Sequence, residues 1–165
     1  MLTKYSNPEK LSKANKKDLI NILKPLGMEY KRAELLKQFG EFIVKNYKGS
    51  IPTEKDELLK VPGVGLYTAN AVLSFVYNEN VPTVDTNFTR VIQRIFGVKS
   101  SKKNSWEDKN IWNFAKTLIP NSKSRNFNFA VLDFGALICK AKKPKCNECP
   151  MTNICEFYGD DKNHL

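Results

Sequence analysis

Four cysteines, Cys139, Cys146, Cys149 and Cys155, fall in one short C-x6-C-x2-C-x5-C stretch near the C-terminus. Thiolates this close in sequence can surround a single metal centre. The N-terminal MLTKYSNPEK lacks the apolar core of a signal peptide, and no apolar run is long enough to span a bilayer, so the chain is expected to be intracellular, in cytoplasm or nucleoid, with no membrane partner. In a reducing compartment clustered cysteines read as metal ligands before disulfides. A structural zinc normally takes two close cysteine pairs separated by a longer loop, and here only Cys146 and Cys149 form such a pair. Iron–sulfur centres accept more varied spacing. The alternative of inert core cysteines conflicts with Lys140, Lys142, Lys143, Pro144 and Lys145, which make the stretch too polar for a core and offer phosphate contacts beside it. The single histidine, His164, lies in the polar tail, which argues against histidine acid–base chemistry.

Two further groups of residues carry chemical meaning. Val61-Pro62-Gly63-Val64-Gly65 lies between two predicted helices, where both glycines permit a tight hairpin that side chains would obstruct. Backbone N–H groups at the start of the following helix can then hold a phosphate without reading sequence, although an ordinary interhelical turn has the same composition. Asp85 stands just ahead of an apolar-periodic stretch, where an aspartate is a natural N-cap; Thr86 or Asn87 would serve as well.

The elements that must position these residues are helical. Leu35, Leu36, Phe39, Phe42 and Ile43 share one face of a segment that Gly49 closes, and Leu66, Ala69, Val72, Leu73 and Val76 form a stripe from Leu66 to Val76. Further helices are predicted at Lys16 to Lys24, at Thr53 to Leu59 with Thr53 and Asp56 as a capping box, and at Phe88 to Phe96. Two more are predicted from Ser105 to Ile119 and from Arg125 to Cys139. Lys99 to Asn104 reads as a polar connector, the tail from Gly159 as frayed, and Asp133 as a buried partner for a basic residue. Lysine and arginine number 27 against 17 acids, a net charge of +10 spread over both halves, so a polyanion is the natural partner.

Three stretches together carry a resemblance. Val61 to Leu73 reads VPGVGLYTANAVL, Val81 to Val91 reads VPTVDTNFTRV, and Asn126 to Cys139 reads NFNFAVLDFGALIC ahead of Pro144, Cys146, Cys149, Pro150 and Cys155. In content and order they resemble the helix-hairpin-helix DNA glycosylase superfamily of endonuclease III and the adenine- and thymine-mismatch enzymes, over about Leu19 to Phe157. The resemblance implies an all-α glycosylase fold with a C-terminal iron–sulfur loop. It divides the chain into a helical barrel domain with the hairpin, residues 1–120, and a last helix plus cluster loop, residues 121–165. It further implies a 4Fe-4S cluster on the four cysteines, Asp85 as the catalytic carboxylate, and double-stranded DNA containing a mismatch or lesion as the partner. Pro62, Gly63, Val64, Gly65 and Thr68 would face DNA at the hairpin. Met28 falls where the family places an apolar wedge and Tyr30 where it places a DNA-facing residue, although Met28 also suits a core.

Bifunctional members of the family carry a lysine two residues after the second hairpin glycine; here that position is Tyr67. A phenol forms no Schiff base, so base release with little or no strand cleavage is expected. Tyrosine at this position is shared with the thymine-mismatch branch, which implies thymine or uracil opposite guanine as the target. An adenine-mismatch enzyme, a non-catalytic helix-hairpin-helix DNA-binding module and a zinc-bearing interaction domain are the alternatives. The family also has several helices ahead of the stretch that here begins near Leu11. Their absence from this sequence leads to the expectation of an exposed apolar patch covered by a second copy in a homodimer, or by a second chain carrying those helices.

Overall fold

The computed structural model describes residues 3–162, and His164 lies outside them. Among the described residues every regular element is a helix. The chain divides between Ala69 and Asn70 into two compact units.

The first unit contains α1 (Pro8–Ser12), α2 (Lys16–Leu23), α3 (Glu29–Tyr47), α4 (Lys55–Lys60) and the start of α5 (Leu66–Phe75). Asn7 caps α1 by accepting from the Lys10 N–H, with Pro8 at the first helical position, and Asn15 caps α2 by accepting from Lys17 and Asp18. Leu11, Ala14, Leu19, Leu23 and Ala33 form the core, with Tyr5, Ile20, Leu36 and Phe39 packed around it. Each fully buried leucine contributes about 2 kcal/mol by leaving water. Gly40 lets α3 meet α1 backbone to backbone, because a Cβ there would lie 2.6 Å from the Ser12 nitrogen. At the end of α3, Lys48 and Gly49 both take positive φ, so Gly49 follows the helix as its position predicted.

The expected Thr53–Asp56 capping box does not form. Helix α4 starts at Lys55 with Glu54 as an N-cap that makes no side-chain bond, which leaves Thr53 outside it. Asp56 and Glu57 instead complement the helix dipole from its first turn.

The second unit holds the rest of α5, then α6 (Thr86–Phe96), α7 (Lys109–Thr117), α8 (Ser124–Leu137) and α9 (Glu156–Lys162). Val84, Phe88, Ile92, Ile111 and Ala115 form its core, with Phe96, Phe114, Phe127 and Val131 among the flanking side chains. Val76, expected on the buried stripe of α5, is 61% exposed, because the helix ends at Phe75. Ser105 starts only a 3-10 turn, Ser105–Glu107, and α7 begins at Lys109.

The residue that starts α7 is Asp108. Its buried carboxylate accepts from the backbone N–H groups of Asn110 and Ser101 and from the Ser100 hydroxyl, which together depress its pKa to about 2. The same bonds tie down the polar connector. Asp133 is exposed on α8, so the expected buried partnership is absent, and the tail expected to fray from Gly159 is helical to Lys162.

Candidate functional site

In the first unit the hairpin follows directly from α4. The Val61 N–H donates to the Leu58 carbonyl, the Val64 N–H closes a turn onto the Val61 carbonyl at 3.0 Å, and Gly65 O accepts the Ala69 N–H at 2.9 Å as α5 begins. The two glycines have different jobs, contrary to the single steric reason expected for both. Gly63 has φ +79 and rests over Leu35 of α3, so backbone shape demands glycine there. Gly65 has ordinary φ and open space where a Cβ would stand. Nothing inside the protein asks for its missing side chain.

Pro62 and Val64 are half-buried, whereas Gly63, Gly65 and Thr68 are exposed. Tyr67, on the first turn of α5, is 39% exposed. That turn leaves N–H groups without intrahelical acceptors.

Met28 is no core residue. It is 62% exposed and sits at φ +53 directly after Gly27 at φ +71, between exposed Leu26 and exposed Tyr30. A left-handed conformation costs a residue with a Cβ roughly 1 kcal/mol. The tip thus presents an apolar side chain to solvent on a strained backbone.

In the second unit Asp85 is the N-cap of α6, and the expected alternatives Thr86 and Asn87 are not. Its Oδ1 accepts the Phe88 N–H at 2.7 Å, and its Oδ2 accepts the Asn87 amide at 3.1 Å. The segment leading to it is pinned from beneath. Buried Asn128 donates to the Val81 carbonyl and accepts the Thr83 N–H at 3.0 Å, while buried Asn70 donates to the Pro82 carbonyl at 2.8 Å. Ser74 and Ser124 complete the network around Asn128.

Beyond Asp85, the Asn87 side-chain oxygen accepts from Arg90, whose guanidinium also donates to the carbonyls of Gly135 and Cys139 at 2.7 and 3.0 Å. Asn70, Arg90 and Asn128 escaped the sequence reading, which gave Asn87 only as an alternative cap. The signal for Asn128 was present, a polar residue on the apolar NFNFAVL turn, but only contacts formed far along the chain reveal its role.

All four cysteines line one narrow cavity of the second unit, together with Arg94, Ile95, Phe134, Ile138 and Phe157. They are half-buried and none is in a disulfide. Among the described residues, no three His, Cys, Asp or Glu side chains group closely enough to hold a single metal ion. Four thiols spread around one cavity instead fit a multi-atom iron–sulfur cluster, which separates the sulfurs further than one zinc does. The Cys149 sulfur accepts the Met151 N–H at 3.4 Å, a contact that survives loss of the thiol proton on ligation. The loop is closed by Lys145 N–H donating to the Ile138 carbonyl at 2.9 Å. No helix among the described residues is long and apolar enough to cross a membrane.

Residues 1–117 match the family model of the HhH-GPD superfamily base excision DNA repair protein, and residues 139–155, beginning and ending on a cysteine, match the iron–sulfur binding domain of endonuclease III. The chain is 43% identical to a thymine/uracil-DNA glycosylase of Pyrobaculum aerophilum, over 95% of this chain and 70% of that protein. It is 37% identical to a thymine-DNA glycosylase of Aeropyrum pernix, over 97% of this chain and 73% of the relative. Among solved structures, a thermostable thymine-DNA glycosylase superposes with TM-score 0.90 at 36% identity, over 96% of this chain and 73% of the other. A trapped endonuclease III–DNA covalent intermediate superposes with TM-score 0.85 at 26% identity, over 98% and 74%. The chain therefore belongs to the HhH-GPD superfamily of base-excision DNA repair proteins, as a DNA glycosylase that binds DNA and carries an iron–sulfur binding domain.

Proposed function

We propose that the chain hydrolyses the N-glycosidic bond of thymine or uracil opposite guanine in duplex DNA, with little or no strand cleavage. The observation that carries the reading is the Asp85 carboxylate, held by two N–H donors at the head of α6 on a segment pinned by Asn70 and Asn128. Cleaving a glycosidic bond builds positive charge on the sugar, and a carboxylate fixed beforehand lowers that barrier without reorganising. It stabilises the cationic sugar or takes a proton from the attacking water. The base must first leave the stack, and the apolar Met28 tip supplies a side chain to fill the gap, with Tyr30 beside it. The hairpin at Pro62 to Gly65, with Thr68, faces the phosphate, which the N–H groups at the start of α5 hold, since Pro62 has none and Val64 spends its own on the Val61 carbonyl; Gly65 leaves the space for it.

Tyr67 supplies no amine, so the reaction stops at hydrolysis. The names of the relatives support thymine and uracil over adenine as the target base. Cys139, Cys146, Cys149 and Cys155 would hold a 4Fe-4S cluster, which would cross-link the segment that carries Lys140 to Lys145 to the following turns. A homodimer stays part of the proposal. Its candidate surface is the open apolar groove between α6 and α8, lined by Val91, Ile95, Phe127 and Val131, and a single-chain mass by light scattering across a dilution series would remove it.

The test of the substrate is single-turnover excision over duplexes carrying T·G, U·G, A·G or an undamaged pair. Release of thymine and uracil opposite guanine is expected. Release of adenine alone would move the chain to the adenine-mismatch branch.

A further inference from the structure

Arg94 lies on α6, one helical turn beyond Arg90, and reaches both ends of the cysteine array. Its Nη1 donates to the Lys140 carbonyl at 2.7 Å and lies 3.6 Å from the Cys139 sulfur, while Nη2 donates to the Ala141 carbonyl at 3.2 Å. The guanidinium carbon stands 4.8 Å from the centre of the Phe157 ring, two residues after Cys155. The carbonyl of Arg94 itself accepts from the Cys155 thiol at 3.4 Å. Among the described residues no carboxylate forms an ion pair with Arg94. A half-buried cation braced by two carbonyls and a ring, with no carboxylate partner, is incomplete unless its counter-charge comes from elsewhere. The Cys139 sulfur beside it, one of four cysteines lining the same cavity, must lose its proton to become a ligand.

We propose that Arg94 is the positioning residue of the iron–sulfur loop, its guanidinium tying the turn after Cys139 and the Phe157 ring to α6 and supplying the positive charge beside the cluster. The inference rests on the reading that the four cysteines hold that cluster. Arginine suits this task where lysine does not. Its planar fork serves two carbonyls and a sulfur at once while its face stacks on Phe157. A cation next to a ligating thiolate also favours the more negative, reduced form of the cluster, so removing it lowers the reduction potential.

The test uses the full chain purified without oxygen, as parent, Arg94→Gln and Arg94→Lys. Iron and sulfide content, the rate of bleaching by a chelator, and the reduction potential by voltammetry are measured, with circular dichroism as a check of fold. Arg94→Gln is expected to bleach roughly tenfold faster, the scale on which outer-sphere partners act, and to shift the potential negative. Arg94→Lys keeps the charge but loses the fork, so it should bleach at an intermediate rate with the parent's potential. Should the glutamine variant fail to fold, the lysine variant decides alone, and parent-like bleaching in it overturns the proposal. Equal bleaching of both variants at an unchanged potential also overturns it, since a merely structural arginine behaves that way. An iron-free parent overturns the cluster reading itself, which is distinguishable from loaded parent and variants that behave alike.

Discussion

The side-chain amide of Asn87 donates to Asp85 Oδ2 at 3.1 Å, and on its other side Asn87 accepts from Arg90. One carboxylate oxygen is thus held by a residue that the next turn of the helix holds in place. The other oxygen is tied to the helix start by the Phe88 N–H.

Asp85→Asn separates the two roles of this residue. Asparagine is as good an N-cap as aspartate, so stability is expected to change little. The carboxylate charge is lost, and the rate of base release is expected to fall roughly a thousandfold. Duplex affinity should stay near the parent's, because the phosphate contacts proposed above lie at the hairpin and lysines. Single-turnover excision beside a binding titration checks this, and retained excision would remove Asp85 from the chemistry.

Tyr67→Lys places an amine on the exposed first turn of α5. If that turn faces the sugar carbon, the amine attacks it, and the variant gains strand cleavage and an adduct trapped by borohydride. A denaturing gel of labelled duplex reads both, and absence of any trapped species means that Tyr67 points elsewhere.

Gly65→Ala tests the division of labour in the hairpin. Open space awaits its Cβ, so the melting temperature should hold, whereas DNA affinity should fall about tenfold as the methyl keeps phosphate away. Gly63→Ala should instead lose about 1 kcal/mol of stability, since φ +79 disfavours any residue with a side chain. Equal effects on affinity and stability at both positions would contradict the assignment.

Asn128→Leu removes the acceptor of the Thr83 N–H and a donor to the Val81 carbonyl inside the core. The Val81 carbonyl keeps the Ser124 hydroxyl as a donor, but the Thr83 N–H is left buried and unpaired, which is expected to cost about 2 kcal/mol, read by urea denaturation. Excision should also slow in the fraction that stays folded, because the support beneath Asp85 loosens.

Acid stability should depend on Asp108. Its pKa is depressed to about 2 in the folded protein, below the unfolded value of about 3.9, so the unfolded chain takes up a proton first as pH falls. Its stabilising contribution is therefore complete above the unfolded value and disappears as pH drops through about 2. Asp108→Asn should be less stable than the parent at pH 6, with the gap narrowing below pH 4. Urea midpoints at several pH values measure the gap, and one that stays constant with pH would assign the shift elsewhere.

Helical periodicity determined most of the elements from sequence alone, because apolar residues at three- and four-residue spacing are what a helix needs to bury one face. The cysteine spacing likewise marked its metal loop, and the order VPGVG, Asp85, cysteines was legible because local chemistry sits in contiguous residues. Tertiary structure decided what depends on contacts far apart in the chain. It left Thr53 outside α4, gave the start of α7 to Asp108 in place of Ser105, and exposed Val76, Asp133 and Met28. It also brought Asn70 and Asn128 beneath the segment that presents Asp85, and Arg90 and Arg94 against the loop of Cys139. A polar residue on an apolar stripe announces only that it needs a partner. Which carbonyl or sulfur satisfies it is set by how α5, α6 and α8 pack, since the cost of an unpaired buried group selects among packings and leaves no mark on local sequence.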